Sequence, residues 1–175
     1  MFELHGKVVV ISGGNAGIGL GFARGIARAG GDVVIWGRRE EKNAEAAAAL
    51  SEFDGRVFTQ TVDVSDEARV VTAMHEVVEE MGRVDGVIAN AGLMTNERTF
   101  VEMSSDAWRG LLAVNQDGAF FTIREGARHM STPDGAASSR RSPATRSSGA
   151  SRGSVPKPRR SGASRKGTGS RCATS

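Results

Sequence analysis

The residues best suited to chemistry in this sequence form a glycine-rich turn near the N-terminus, SGGNAGIG over residues 12–19. A turn this tight requires residues without a Cβ, and a helix that begins there offers backbone N–H groups and a positive dipole to an anion. Between a strand and a helix, such a turn is typical of a site for the pyrophosphate of a dinucleotide. The residues predicted to form it are Gly13, Asn15, Gly17, Ile18 and Gly19.

The apolar pattern around this turn predicts strands and helices in alternation. The predicted elements are strand 7–12, helix 17–29, strand 33–36, helix 40–53, strand 57–62, a helix over about 70–81, strand 84–89 and a long helix from about 105. Residues 33–36 are apolar without alternation, as expected of a strand covered on both faces. This order predicts right-handed crossovers and a doubly wound parallel sheet, an α/β fold of the Rossmann type.

Helical spacing also predicts which side chains form the apolar stripes. The first helix carries Ile18, Phe22 and Ile26. The stripe of the third helix contains Val70, Met74, Val77, Val78 and Met81, and that of the long helix contains Trp108, Leu111, Leu112 and Ala119.

Polar residues follow two of the strands and interrupt one helical stripe. Asp63-Val64 follows the third strand, and Asn90-Ala91-Gly92 ends the fourth. Asn115 lies within the stripe of the long helix, where a buried amide without partners would be costly. Each has a structural alternative: Asp63 caps a helix, Asn90 is a turn residue, and Asn115 is a buried amide with satisfied hydrogen bonds.

The spacing Gly-x-x-x-Gly-x-Gly resembles the fingerprint of the short-chain dehydrogenase/reductase family, over residues 1 to about 130. The resemblance implies that Asp63 contacts the adenine ring and that Asn90-Ala91-Gly92 lies beside the cofactor. It implies that Asn115 supports a catalytic lysine through water. The implied activity is hydride transfer between a nicotinamide and a small-molecule carbonyl or secondary alcohol.

The end of the second strand bears on the choice of cofactor, because an acidic residue there binds a ribose 2′-hydroxyl and a basic one favours a 2′-phosphate. The family's acidic position corresponds to Gly37, and Arg38 follows it. NADP is therefore the first choice and NAD the second. The alternative is that Arg38 and Arg39 form a solvated loop and pair with Glu40 and Glu41.

The catalytic residues that the resemblance implies are missing. The chain has no tyrosine, and the positions expected for the family's Tyr and Lys hold Val155 and Arg159. Serines 138, 139 and 142 lie near the expected catalytic serine, but in a segment already rich in serine. We therefore expect the chain to be catalytically incompetent, with Asn115 as the one remaining member of the catalytic set.

The composition changes abruptly at about residue 130. Residues 1–130 carry a net charge of −6, whereas residues 131–175 carry +9, all four prolines and 12 serines. Such a segment has too little apolar surface to offset the entropy of ordering, which predicts a disordered tail after an incomplete domain over residues 1–130. Reading of a GC-rich gene out of frame would produce this composition, and translation of the other two frames tests that hypothesis.

Three function classes follow from these observations: an oxidoreductase by ancestry, a non-catalytic dinucleotide-binding pseudoenzyme, and a nucleic-acid binder through the basic tail. The tail lacks interleaved aromatic residues, which weakens the last of these. No metal-ligand spacing, signal peptide or membrane span is evident, and with its single cysteine the chain is expected to be cytoplasmic. The predicted sheet order, 3-2-1-4, leaves the fourth strand as an open apolar edge, which is expected to promote association. The family's homo-oligomer is doubtful here, because its dimer and tetramer surfaces need helices that this sequence lacks.

Overall fold

The computed structural model describes residues 3–94 and 99–130 of the 175-residue chain. The predictions made for the basic tail, including those for its serines, Val155 and Arg159, lie outside these residues.

Four strands alternate with helices along the described chain in the order predicted, and the single long helix predicted from about residue 105 is divided into two α-helices. The strands are β1 (Val8–Ser12), β2 (Asp32–Gly37), β3 (Val57–Thr61) and β4 (Gly86–Ala89). The helices are α1 (Gly17–Arg28), α2 (Glu40–Leu50), α3 (Glu67–Met81), α4 (Ser105–Leu112) and α5 (Gly118–Met130). A 3₁₀ turn lies at Phe100–Glu102, and one turn of π-helix at Ala113–Asp117, called the π segment below, joins α4 to α5.

The strands form one parallel sheet in the order β3-β2-β1-β4, which confirms the expected topology. Val10 on β1 is in register with Val34 on β2 and with Val87 on β4. Within the described chain β4 pairs only with β1, so its other edge is open. Between the central β1 and β4 the chain changes direction across the sheet, and ligands of doubly wound folds bind at such a switch point.

Alternating strand residues face two separate cores, because successive side chains of a strand point to opposite faces. Val10, Val34 and Trp36 face α3, where they pack on Val70, Met74 and Val77. The second core lies against α1 and α2 and contains Ile11, Val33, Ile35, Ala23, Ala27, Ala46 and Leu50. Helices therefore cover both faces of the sheet, and residues 33–36 are fully buried as the unbroken apolar run predicts.

The predicted inward stripe of α1 is wrong for two of its three residues. Ile18 is 75% and Phe22 46% exposed, whereas Ile26 packs against the second core. The buried residues of α1 are Gly19, Ala23 and Ala27. The short glycine turn brings the start of α1 so close to the sheet that small side chains face it there, and Ile18 and Phe22 are turned outward.

The stripe predicted for the long helix is also largely wrong. The residues that α5 buries are Gly118, Thr122, Glu125 and Gly126, which face α3 and β4. Trp108 remains 46% exposed, and the other predicted stripe residues are only half-buried. Small residues again permit the close approach: a Cβ on Gly118 would lie 2.6 Å from Cγ2 of Val64.

No helix within residues 3–94 and 99–130 has the length and apolar character to cross a bilayer.

Candidate functional site

A cleft of about 710 Å³ opens at the carboxyl ends of the strands. Residues that follow each of the four strands line it, because the carboxyl ends of parallel strands meet at one edge of the sheet. The lining residues are Gly13, Asn15, Trp36, Gly37, Arg38, Arg39, Val62, Asp63, Val64, Asn90, Ala91, Gly92 and Val114. Most of the predicted cofactor-binding residues are thus brought together around one cleft.

The glycine turn between β1 and α1 is held in a conformation that side chains would disrupt. Gly13 and Gly17 have positive φ angles of 65° and 52°, which residues with a Cβ rarely adopt. A Cβ on Gly13 would lie 2.9 Å from Cα of Ala91, and one on Gly19 would overlap the carbonyl oxygen of Gly13. The turn therefore leaves open space above the first backbone N–H groups of α1, where an anion would be stabilised.

Two polar side chains tie the glycine turn to the end of β4. Asn90 donates through Nδ2 to the carbonyl oxygens of Ser12 (3.2 Å) and Gly13 (3.1 Å). Oγ of Ser12 accepts from the backbone N–H groups of Asn90 and Ala91, each at 3.1 Å. Asn90 is therefore a bracing residue that fixes the turn, as well as part of the cleft wall.

Asp63 lines the cleft after β3. Its Oδ1 accepts hydrogen bonds from the hydroxyl of Ser65 (2.7 Å) and from its backbone N–H (3.0 Å). The Ser65 hydroxyl and backbone hydrogen bonds, together with the positive charge of Arg38, outweigh partial burial and lower the pKa of Asp63. The cap of α3 is Asp66, which accepts from the N–H of Arg69, so Asp63 does not have the capping role considered as its alternative.

Asn115 lies in the π segment, beside the cleft-lining Val114. Its amide makes a two-way hydrogen bond with Leu93: Oδ1 accepts from the backbone N–H at 2.7 Å, and Nδ2 donates to the carbonyl at 2.9 Å. Asn115 is exposed, so the expectation of a buried amide is wrong. The π turn displaces this stretch from the α-helical stripe and directs the amide to the loop that follows β4.

Arg38 and Arg39 are exposed at the end of β2, and both line the cleft. The structure contains no ion pair between these arginines and Glu40 or Glu41, so the pairing considered above is not found. The neighbouring Gly37 is buried, and a Cβ there would overlap polar atoms of Asn15 and Asn43.

Asn43 is a site residue that the sequence analysis missed. It is 2% exposed on α2, and its Oδ1 accepts from Nδ2 of Asn15 at 2.7 Å. Its spacing in the sequence could have identified it. Asn43 precedes the buried Ala46 and Leu50 by three and seven residues, and this helical spacing places its amide on the inward face of α2.

Four predicted site residues are not part of the cleft wall. Gly17, Ile18 and Gly19 form the first turn of α1 instead, and Asn115 lies in the π segment. His5 and His75 are exposed, and His75 packs edge-on against His129 with ring centroids 5.1 Å apart. Within the described part of the chain, no group of three or more His, Cys, Asp or Glu residues could hold a metal ion.

Sequence comparison identifies relatives of this chain. Residues 7–140 match the family model of short chain dehydrogenases, ten residues beyond the expected boundary. A 3-oxoacyl-(acyl-carrier-protein) reductase from Chlamydia pneumoniae is 32% identical over 127 residues, which are 73% of this chain and 51% of that protein. An NADP-dependent (R)-specific alcohol dehydrogenase from Lentilactobacillus kefiri is 37% identical over 128 residues, which are 73% of this chain and 50% of that protein.

Structural comparison agrees with the sequence matches. A crystal structure of carveol dehydrogenase from Mycobacterium avium in complex with NAD has a TM-score of 0.68 at 30% identity, and the match covers 74% of this chain and 51% of that chain. The chain spans about half the length of the curated relatives it matches. The glycine turn, the strand order and the matched region together show that this chain belongs to the short-chain dehydrogenase family of oxidoreductases.

Proposed function

We propose that the cleft binds a nicotinamide dinucleotide, with its pyrophosphate over the glycine turn. The observation that carries this proposal is the absence of Cβ atoms at Gly13 and Gly19, where the turn, α1 and the end of β4 come closest together. The cleft lies at the switch point between β1 and β4, where ligands of this sheet topology bind. A nicotinamide supplies hydride chemistry when bound, and the chain's own residues bind and orient it.

Each predicted site residue has a proposed role in that binding. The N-terminus of α1, over Gly17, Ile18 and Gly19, stabilises the pyrophosphate. Asp63 and Val64 bound the adenine end of the cleft, and Asn90, Ala91 and Gly92 bound the end nearest the substrate. Asn115 holds the loop at Leu93 through its two hydrogen bonds and thereby positions the backbone that follows Gly92.

We further propose that NADP is preferred over NAD. Relatives of both kinds exist, since the alcohol dehydrogenase named above is NADP-dependent and the carveol dehydrogenase was solved with NAD. In this chain the exposed guanidinium of Arg38 stands beside a glycine where an acidic residue would select a ribose 2′-hydroxyl.

Arg38→Ala is expected to weaken NADPH binding about tenfold and to leave NADH binding nearly unchanged, as measured by cofactor fluorescence. Equal losses for both cofactors would contradict the preference.

Catalysis by these 175 residues alone is not expected, because they contain no tyrosine to act as the general acid and base. The proposed activity of the intact family fold is hydride transfer between the nicotinamide and a small-molecule carbonyl or alcohol. The chain itself is proposed to bind cofactor without turnover. A panel of ketones and alcohols, assayed by the change in NADPH absorbance, tests this proposal, and turnover of any of them would overturn it.

The basic segment after residue 130 is proposed to arise from a change of reading frame in a gene of this family. Its composition supports the proposal: ten Lys or Arg residues and only one acidic residue follow a patterned domain of net charge −6. Translation of the other frames should give Tyr-x-x-x-Lys and further apolar strands. If neither of the other two frames contains these features, the proposed change of reading frame is refuted.

A further inference from the structure

We propose that Asn43 is a positioning residue for cofactor selection, because it holds the amide of Asn15 in the space that an acidic side chain at position 37 would need. The inference rests on the proposed function, since it concerns the same cleft. It differs from the role proposed for Arg38, which attracts a phosphate. Asn43 instead keeps an acidic side chain, which would recognise a free ribose 2′-hydroxyl, from fitting at position 37.

The hydrogen bonds of Asn43 fix the orientation of its amide. Its Nδ2 donates to the carbonyl oxygens of Gly37 and Gln60, both at 3.1 Å, so both N–H bonds of that amide are used. Oδ1 therefore remains as the acceptor, and it takes an N–H from Asn15 at 2.7 Å. Because Asn43 is 2% exposed, rotation of its amide would take its donor away from both carbonyl groups and turn its own oxygen toward them.

The orientation of Asn15 follows from that of Asn43. Its Nδ2 must face Asn43, which leaves one N–H and Oδ1 for the cleft that Asn15 lines. In the part of the chain that the structure describes, no other side chain hydrogen-bonds to Asn15. Asn43 thus holds the amide of Asn15 in place, and the other N–H and Oδ1 of that amide remain available to a ligand in the cleft.

Position 37 has no room for a side chain while this pair is intact. A Cβ on Gly37 would overlap Nδ2 of Asn15 and Oδ1 of Asn43 and would lie 2.8 Å from Cγ of Asn15. A carboxylate would extend further into the same space. The exposed Arg38 and Arg39 follow immediately, so donors and positive charge remain at this corner for the phosphorylated dinucleotide.

The decisive experiment compares Gly37→Asp in two backgrounds, the otherwise unchanged chain and the Asn15→Ala variant, by fluorescence titration with NADH and NADPH. We expect Gly37→Asp alone to weaken NADPH at least tenfold without tightening NADH, because the carboxylate has no space. In the Asn15→Ala background the same substitution should tighten NADH by about tenfold. Equal tightening of NADH in both backgrounds would overturn the inference.

Asn43→Ala separates a positioning role from a structural one, with Lys42→Ala on the same helix as control. A merely structural Asn43 would lower Tm and leave the effect of Gly37→Asp on NADH binding unchanged. The positioning role predicts that Gly37→Asp tightens NADH at least threefold in the Asn43→Ala background and does not tighten it in the Lys42→Ala background. Should Asn43→Ala not fold, the Asn15→Ala background must give the same tightening. If the unchanged, folded chain bound neither cofactor, the proposed function itself would fail, an outcome distinct from a preference that the variants leave unaltered.

Discussion

Gly19 stands at the closest contact between the glycine turn and α1. A side chain there would meet the backbone carbonyl of Gly13 and would lie 2.6 Å from Nδ2 of Asn90. Backbone atoms cannot move aside as a flexible side chain can, so even a methyl group must displace the turn. Gly21, two residues later on α1, has open space around it.

Gly19→Ala is therefore expected to reduce the free energy of unfolding by about 2–3 kcal/mol and to abolish cofactor binding. Gly21→Ala is the matched control, and it should stabilise the protein by about 0.5–1 kcal/mol because alanine is the better helix former. Urea unfolding and cofactor titration of both variants give the comparison. A Gly19→Ala protein as stable as the control would show that the turn is not held as described.

The glycines and Asn90 of this site could be predicted from the sequence, whereas Asn43 could not be assigned to it. A glycine-rich turn between a strand and a helix has a recognisable spacing, and Asn90 follows a strand that must end at the same edge. The partners of Asn43, by contrast, are Asn15, Gly37 and Gln60, which lie on three other segments. Only the packing of α2 on the sheet brings them together.

Among the elements, α5 shows how small residues determine packing. Gly118 lets it approach Val64, which follows β3, and Gly126 lets it approach the sheet, because a Cβ on Gly126 would overlap Cγ2 of Val87 on β4. Apolar periodicity predicts where a helix lies but marks large residues as the buried ones. For this reason the existence of α1 and α5 was predicted correctly, while their buried faces were not.

Gly126→Ala is expected to destabilise the protein by about 1–3 kcal/mol, because the added methyl group must push α5 away from β4. Gly110→Ala on α4 has open space around the new Cβ and serves as the control, with an expected small gain in stability. Thermal unfolding monitored by circular dichroism distinguishes them. Equal midpoints for the two variants would contradict the close packing of α5.

The contact between α3 and α5 is also expected to respond to pH. Burial, and then the charge of neighbouring His75, lowers the pKa of His129 below its ordinary value of 6.5. The folded state thus favours neutral His129, and its contribution is present above pH 6.5 and lost as the pH falls through the lowered folded pKa. His129→Gln should flatten the decline of Tm between about pH 7 and pH 5. If Tm declines equally in the variant and the unchanged chain, groups other than His129 cause the decline.

On the scale of the whole molecule, α4 and α5 expose several large apolar side chains. They are Trp108 (46%), Phe120 (56%), Ile123 (54%) and Met130 (40%), of which the last three lie at helical spacing on one face of α5. The open edge of β4 lies in the same half of the sheet. Exposed apolar surface and unpaired strand edges both promote association, as the sequence analysis anticipated.

Ile123→Gln should raise the protein concentration at which association begins while leaving Tm nearly unchanged, because this side chain is more than half exposed. Phe120 is less suitable because Arg124 stacks over its ring at 5.0 Å. Ala44→Gln, at an exposed position on α2, is the control. Light scattering across a concentration series measures the effect, and identical onsets for the two variants would exclude this face.

The central claim is that the cleft at the carboxyl ends of the strands binds a nicotinamide dinucleotide, and calorimetric titration of the full 175-residue chain with NADPH tests it most directly. We expect NADPH to bind saturably at one site per chain, and more strongly than NADH. Circular dichroism on the same sample establishes that the chain is folded. A folded chain that releases no heat with either cofactor, and whose Tm neither cofactor raises, would contradict the claim.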